Sequence, residues 1–130
     1  IKKICEVLLN NNIELIIISN TSESTRESLN NIQGHQKGGL SGKPIEKKST
    51  ILISKFYKIL KGRIKIIGVG GVDSGKSAYE KFLAGANYVQ LYTGMVFRGP
   101  NIVHMIKKEL SELLLKDGVK NYTEIIGKKG

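Results

Sequence analysis

The chain has 130 residues, enough for one small domain. Hydrophobic residues make up 40% and charged residues 25%, a globular composition that excludes an intrinsically disordered chain. The formal net charge of +10 raises the question of a polyanionic partner. The lysines are scattered along the whole chain, however. No aromatic residues interleave with them as a stacking platform requires, and no zinc or recognition-helix motif accompanies them. The charge therefore reads as a solvated surface, and no nucleic-acid partner is expected. Cys5 is the single cysteine, which excludes an intrachain disulfide and fits a reducing, intracellular setting. It lies in an apolar stretch and is expected to be buried. No apolar run has membrane-spanning length, and no signal peptide is visible. The chain opens at Ile1 inside a predicted helix, so the true N-terminus is expected elsewhere.

Apolar residues at helical spacing (Ile4, Cys5, Leu8, Leu9) predict a helix over 1–9, stopped by Asn10-Asn11-Asn12. Leu15-Ile16-Ile17-Ile18 is a continuous apolar run. It predicts a strand buried on both faces, as in a parallel sheet. Residues 21–37 are polar and predict a long loop. Ser49 is a candidate cap for a helix over 50–61, with Ile53, Phe56, Tyr57 and Leu60 on one face and Gly62 at its end. A second buried strand follows over 64–69. Asp73 or Ser74 then caps a helix over 75–83 that closes at Gly85. The third strand is predicted over 88–92, a short segment over 94–97, an amphipathic helix over 103–116, and a short terminal helix within 119–127.

Alternating β and α elements with buried strands specify an α/β fold with a parallel sheet. A β/α barrel needs eight strands and typically about 250 residues. Three strands cannot close one. Residues 1–130 therefore read as one domain that this chain does not complete.

In a parallel barrel the loops that follow the strands emerge on one face, where barrel active sites sit. After the second predicted strand comes Gly70-Gly71-Val72-Asp73-Ser74-Gly75. Paired glycines there allow close backbone approach to a ligand, with N–H groups available to phosphate oxygens. A full dinucleotide fingerprint is absent, because Asp73 stands where the third glycine belongs. One β/α unit later, Tyr92-Thr93-Gly94 leads into a short helix and offers amides and a hydroxyl to an anion. Alone, Gly70-Gly71 fits an ordinary tight turn and a phosphate loop equally well. In this order the two loops match the phosphate site that barrels build from their last two loops. Ser19-Asn20-Thr21 follows the first strand; the Asn20 amide suits a carboxylate or amide-like ligand, but spacing alone favours a local Asx-turn. Gly38-Gly39-Leu40-Ser41-Gly42-Lys43-Pro44 lies in a loop long enough to be functional. His35 and His104 have no metal-ligand spacing with Cys5, the acidic residues or each other. No metal site, catalytic triad or carboxylate pair is expected.

Together, Ser19-Asn20-Thr21, Gly38 to Pro44 with Ser49-Thr50, Ile66 to Val72 with Ser74-Gly75, Ala84-Gly85-Ala86, and Val89 to Thr93 with Gly99-Pro100 resemble the quinone-dependent (class 2) dihydroorotate dehydrogenases. The ending from Lys108 through Gly127 resembles that family's C-terminus. The match covers nearly the whole chain, and the order and spacing of its segments are specific. No match is carried over within 23–36.

The resemblance implies that the chain is the C-terminal portion of a (β/α)8 TIM barrel, incomplete here, and that the whole barrel holds FMN and oxidises dihydroorotate to orotate in pyrimidine (UMP) biosynthesis, passing a hydride to FMN and then electrons to quinone. It places Asn20 and Thr21 on the substrate. Ser19, Ser41, Gly42, Gly70, Gly71, Tyr92, Thr93 and Gly94 fall on FMN, with Gly71 and the 92–94 turn at its phosphate. Ser19 stands where the family more usually has threonine. The family's catalytic serine, its flavin-side lysine and its quinone-tunnel helices precede the matched region, so no catalytic residue is expected in this chain. By itself the chain is expected to be inactive. The full-length enzyme is expected to be peripheral on the bacterial or mitochondrial inner membrane. The alternatives are another FMN- or phosphate-binding TIM-barrel oxidoreductase and a non-catalytic, basic nucleic-acid-binding fragment.

Overall fold

The structure is a computed structural model that describes residues 1–23, 29, 34 and 36–129. In chain order it contains α1 (Lys2–Asn10), β1 (Leu15–Ile18), α2 (Glu46–Leu60), β2 (Lys65–Val69), α3 (Gly75–Leu83), β3 (Tyr88–Gln90), α4 (Thr93–Arg98) and α5 (Ile102–Lys116). Short 3-10 turns cover Lys43–Ile45 and Tyr122–Ile125.

The strands form one parallel sheet in the order β1-β2-β3. Ile17 pairs with Ile67, and Ile67 with Tyr88. Side chains alternate across a sheet, so one face carries Ile16, Ile18, Ile66 and Gly68 and the other carries Leu15, Ile17, Ile67 and Tyr88. The first face is covered by α1 and α2. There Ile18, Ile53, Phe56, Leu60, Ile64 and Ile66 form a core that also takes in Cys5, as its apolar surroundings predict. The second face is open among the described residues: Ile17 is 57% exposed and Leu15 43%. The apolar runs predict burial on both faces, and here one face is covered. Three strands present a barrel-lining surface without enclosing it.

A second core joins α3, α5 and the C-terminal turn through Val72, Ala78, Phe82, Leu83, Ile102, Ile106 and Ile125. Ser74, not Asp73, is the cap of α3. Its side chain accepts from the Ser77 amide at 3.2 Å, and Ser77 Oγ in turn accepts from the Ser74 amide at 3.0 Å. From α5, the Glu109 carboxylate accepts from the Gly75 amide at 2.6 Å, placing negative charge at the positive end of α3.

Three predicted boundaries move. Helix α2 starts at Glu46, so Ser49 lies inside it and is buried, not at its cap. The third strand ends at Gln90, because Tyr92 turns the chain into α4. The terminal helix is a single 3-10 turn capped by Asn121.

Candidate functional site

Because the sheet is parallel, the C-terminal ends of β1, β2 and β3 lie along one edge. The segments that follow them are Ser19-Asn20-Thr21, Gly70-Gly71-Val72 and Leu91-Tyr92-Thr93-Gly94. All of them line one cleft of about 380 Å³, together with Ser41, Gly42, Ile45 and Val69. Every residue that the sequence nominates for cofactor or substrate is on this wall. Its volume falls within the range of ligand pockets, toward the small end.

Three contacts assemble the wall. Ser22 and Leu40 form an antiparallel bridge, with the Ser22 amide donating at 3.0 Å and the Leu40 amide at 2.8 Å. This draws the strap 38–44 across from β1. The Thr93 hydroxyl donates to Ser41 Oγ at 2.8 Å and ties the strap to the start of α4. Gly42 sits so close that a Cβ there would lie 2.8 Å from Thr93 Cγ2. The Thr93 hydroxyl is therefore engaged in joining two loops, a role that its sequence position alone does not disclose.

The glycine pair has a backbone only glycine takes easily: Gly70 has φ +109° and Gly71 φ +76°. A Cβ on Gly71 would overlap the Glu46 side chain and lie 2.7 Å from Glu46 Cα. Gly94 is held by a similar close approach, with its missing Cβ 2.7 Å from the Val72 carbonyl oxygen. The two glycine loops thus pack directly on each other. Of the first-turn amides of α4, that of Met95 donates to the Tyr92 carbonyl at 3.0 Å; those of Thr93 and Gly94 have no acceptor within the helix.

At the other end, Asn20 Oδ1 accepts from the Thr21 amide at 2.8 Å. The side-chain carbonyl is committed to the local turn, and the Asn20 NH₂ is the group left to meet an acceptor. Tyr92 is 83% exposed at the rim. Ile45, Val69, Val72 and Leu91 supply apolar wall between the polar ends.

Charged residues flank the glycine loop. Lys43 Nζ lies 2.5 Å from Glu46 Oε2 and 3.4 Å from Asp73 Oδ1. The bond to Glu46 raises the Lys43 pKa above its ordinary value, against the opposing effect of burial, and the charge of Asp73 adds to the rise. Burial works against the Asp73 carboxylate, but a hydrogen bond from Ser74 and the Lys43 charge outweigh it and hold its pKa low. Arg98 donates to the Asp73 carbonyl at 2.7 Å and reaches Glu109 at 3.7 Å, clamping α4 to the loop after β2.

Sequence reasoning missed Arg98 and Lys81, and it placed Lys43 in the strap without its ion pairs. Lys81 is fully buried on α3, and its Nζ donates to Ser49 Oγ at 3.2 Å and to Thr50 Oγ1 at 3.1 Å. Its signal is faint but present: it lies three residues after Ala78 and one before Phe82, on the apolar face of a predicted helix. His104 is exposed on α5, and His35 falls outside the described residues. Among the described residues, no cluster of three His, Cys, Asp or Glu side chains is placed to hold a metal ion, and no helix is long and apolar enough to cross a membrane.

Comparison with known proteins agrees with this architecture. Residues 1–114 match the family model described as dihydroorotate dehydrogenase. The chain is 44% identical over 112 residues to the dihydroorotate dehydrogenase (quinone) of Deinococcus radiodurans, covering 86% of itself and 30% of that protein. It is 46% identical over 115 residues to the mitochondrial dihydroorotate dehydrogenase (quinone) of Mus musculus, covering 88% of itself and 29% of that protein. The crystal structure of ligand-free type DHODH from Eimeria tenella superposes with a TM-score of 0.95 at 37% identity, covering 98% of this chain and 35% of that one. The chain thus spans about a third of the length of the relatives it matches. A parallel β/α sheet with all its nominated residues on one C-terminal cleft, and a family match over most of its length, make this chain a member of the dihydroorotate dehydrogenase family.

Proposed function

We propose that residues 1–130 form the C-terminal part of a quinone-type dihydroorotate dehydrogenase barrel, and that the cleft holds the phosphate side of FMN and one side of dihydroorotate. The observation that carries this reading is the convergence of three post-strand loops and the 38–44 strap on one cleft, joined by the Thr93–Ser41 bond.

The residues present fit the group. A phosphate monoester suits the two interlocked glycine loops, where positive-φ glycines bring the backbone close and backbone N–H groups serve as donors. The apolar stretch of Ile45, Val69, Val72 and Leu91 suits a flat ring and excludes water from it. When bound, FMN supplies the acceptor for the hydride that leaves dihydroorotate. The chain's own residues bind and orient. Gly70, Gly71 and the 92–94 turn hold the phosphate, Ser19, Ser41 and Gly42 line the flavin, and the Asn20 NH₂ and Thr21 fix the substrate carboxylate and ring. None of these groups is a general base, so proton abstraction falls to the serine that the family carries upstream of the matched region. The quinone contacts fall there too, and with them the inner-membrane setting.

The test compares this chain alone with the complete barrel that has the chain as its C-terminal part. The complete barrel is expected to co-purify with flavin absorbance that bleaches anaerobically on addition of dihydroorotate. The chain alone is expected to hold no flavin. A complete barrel that binds no flavin, or whose flavin dihydroorotate does not reduce, overturns the proposal. Strong, salt-dependent nucleic-acid binding in a filter titration would instead favour the basic-module alternative.

A further inference from the structure

Lys81 is the largest fully buried side chain of the described residues, and its two hydrogen-bond partners are hydroxyls, not carboxylates. An ammonium so placed costs stability. Its surroundings show what it holds in place. A serine or threonine inside a helix ordinarily donates back to the carbonyl four residues earlier. Thr50 does so, to the Glu46 carbonyl at 2.9 Å. Ser49, one residue away on the same helix, instead donates across to the carbonyl of Val69. Val69 ends β2 and precedes Gly70, and a Cβ on Gly70 would lie 3.1 Å from Ser49 Cβ. The Lys81 ammonium donates to the Ser49 oxygen, so the hydroxyl proton must point away from Lys81, and Val69 is where it points.

We propose that Lys81 is a positioning residue for the phosphate cradle: through Ser49 and the Val69 carbonyl it fixes the backbone of Gly70 and Gly71 in the form that takes a phosphate monoester. The inference rests on the FMN reading above. Lys81 reaches the loop from behind, through the protein interior, and touches no ligand itself. Its buried positive charge also lies behind a site for a dianion, in surroundings that screen it less than water does. Burial pulls its pKa down to about 8, with the Glu46 charge opposing that shift, so the charge is held near neutral pH.

The experiment measures the equilibrium binding of FMN and of riboflavin, which lacks the phosphate, to the apoprotein of the complete barrel. Lys81→Met keeps the length and removes the charge. It is expected to weaken FMN roughly tenfold while leaving riboflavin nearly unchanged. Ser49→Ala is expected to do the same. The double variant is expected to be no worse than either single one, because both act through one chain of bonds. Equal losses for both ligands, or no loss for FMN, overturn the proposal, since a merely structural role does not distinguish a phosphate from its absence. If Lys81→Met does not fold, Ser49→Ala decides on the same criteria. A wild-type barrel that binds riboflavin as tightly as FMN overturns the phosphate reading itself, a result separate from a failure at Lys81.

Discussion

Thr93 and Ser41 lie 52 residues apart in sequence, and their hydroxyls are 2.8 Å apart across the mouth of the cleft. The bond closes a ring of backbone from the 38–44 strap to the first turn of α4. Cutting it with Ser41→Ala or Thr93→Val in the complete barrel should cost about 1 kcal/mol, the worth of an ordinary hydrogen bond. FMN dissociation should quicken by about fivefold in a stopped-flow displacement assay. An unchanged off-rate would show that the strap is held by other contacts.

Gly71 combines φ +76° with a missing Cβ that would lie 2.7 Å from Glu46 Cα. Gly71→Ala forces either the loop or the start of α2 to move. The expected result is a loss of about 2 kcal/mol in stability by denaturant unfolding and a larger proportional loss of FMN affinity. Gly62→Ala is the control. Gly62 has the same φ of +76°, but no atom lies within 4 Å of the Cβ it would gain. Its cost should be confined to stability.

The β1 end of the cleft can be separated from the phosphate end. With Oδ1 bound to the Thr21 amide, Asn20 offers its NH₂ to a ligand. Asn20→Asp keeps the acceptor for the Thr21 amide and replaces the donor with a negative charge, which on the proposed assignment would repel the substrate carboxylate. Steady-state kinetics of the complete enzyme should show KM for dihydroorotate raised by at least tenfold, with FMN content unchanged. A fall in FMN content instead would place Asn20 on the flavin.

Lys81 also makes a prediction about stability. Its pKa is about 8 in the folded chain against an ordinary 10.5, chiefly because of burial. The folded state therefore binds fewer protons than the unfolded state between these values. The Lys81 contribution opposes folding fully below pH 8 and is relieved as the pH rises toward 10.5. Lys81→Met should be at least as stable as the wild type at pH 7, by an amount on the order of 3 kcal/mol at most. The gap should narrow toward pH 10. Urea midpoints of the two proteins across pH 7–10 provide the measurement. A gap that widens with pH would contradict the burial argument.

Much of the fold was legible because its signals are local. The run Leu15 to Ile18 and the stretch ending at Val69 are rich in β-branched residues and bounded by turn residues, and both are strands. The helices follow their apolar spacing to within a few residues. The glycine pairs and the Ser19 to Thr21 segment were identifiable as post-strand loops, and a parallel sheet gathers such loops on one edge by geometry alone. Long-range contacts were not legible. Ser49 carries the signature of a cap, yet Lys43-Pro44-Ile45 starts the coil earlier and carries Ser49 into the helix, opposite Val69. Nothing local distinguishes Lys81 from the chain's many surface lysines except its place among Ala78, Phe82 and Leu83. Arg98 reads as a surface charge until α4 brings it to the Asp73 carbonyl.

The most direct test of the central claim is amide hydrogen exchange of the complete barrel, followed by mass spectrometry with FMN, with riboflavin and without ligand. FMN should protect peptides covering 69–75 and 91–96, whereas riboflavin should protect the 19–21 and 41–45 segments but leave the two glycine loops near their unliganded rates. FMN that binds without slowing exchange in 69–75 and 91–96 would contradict the assignment of the phosphate to this cleft.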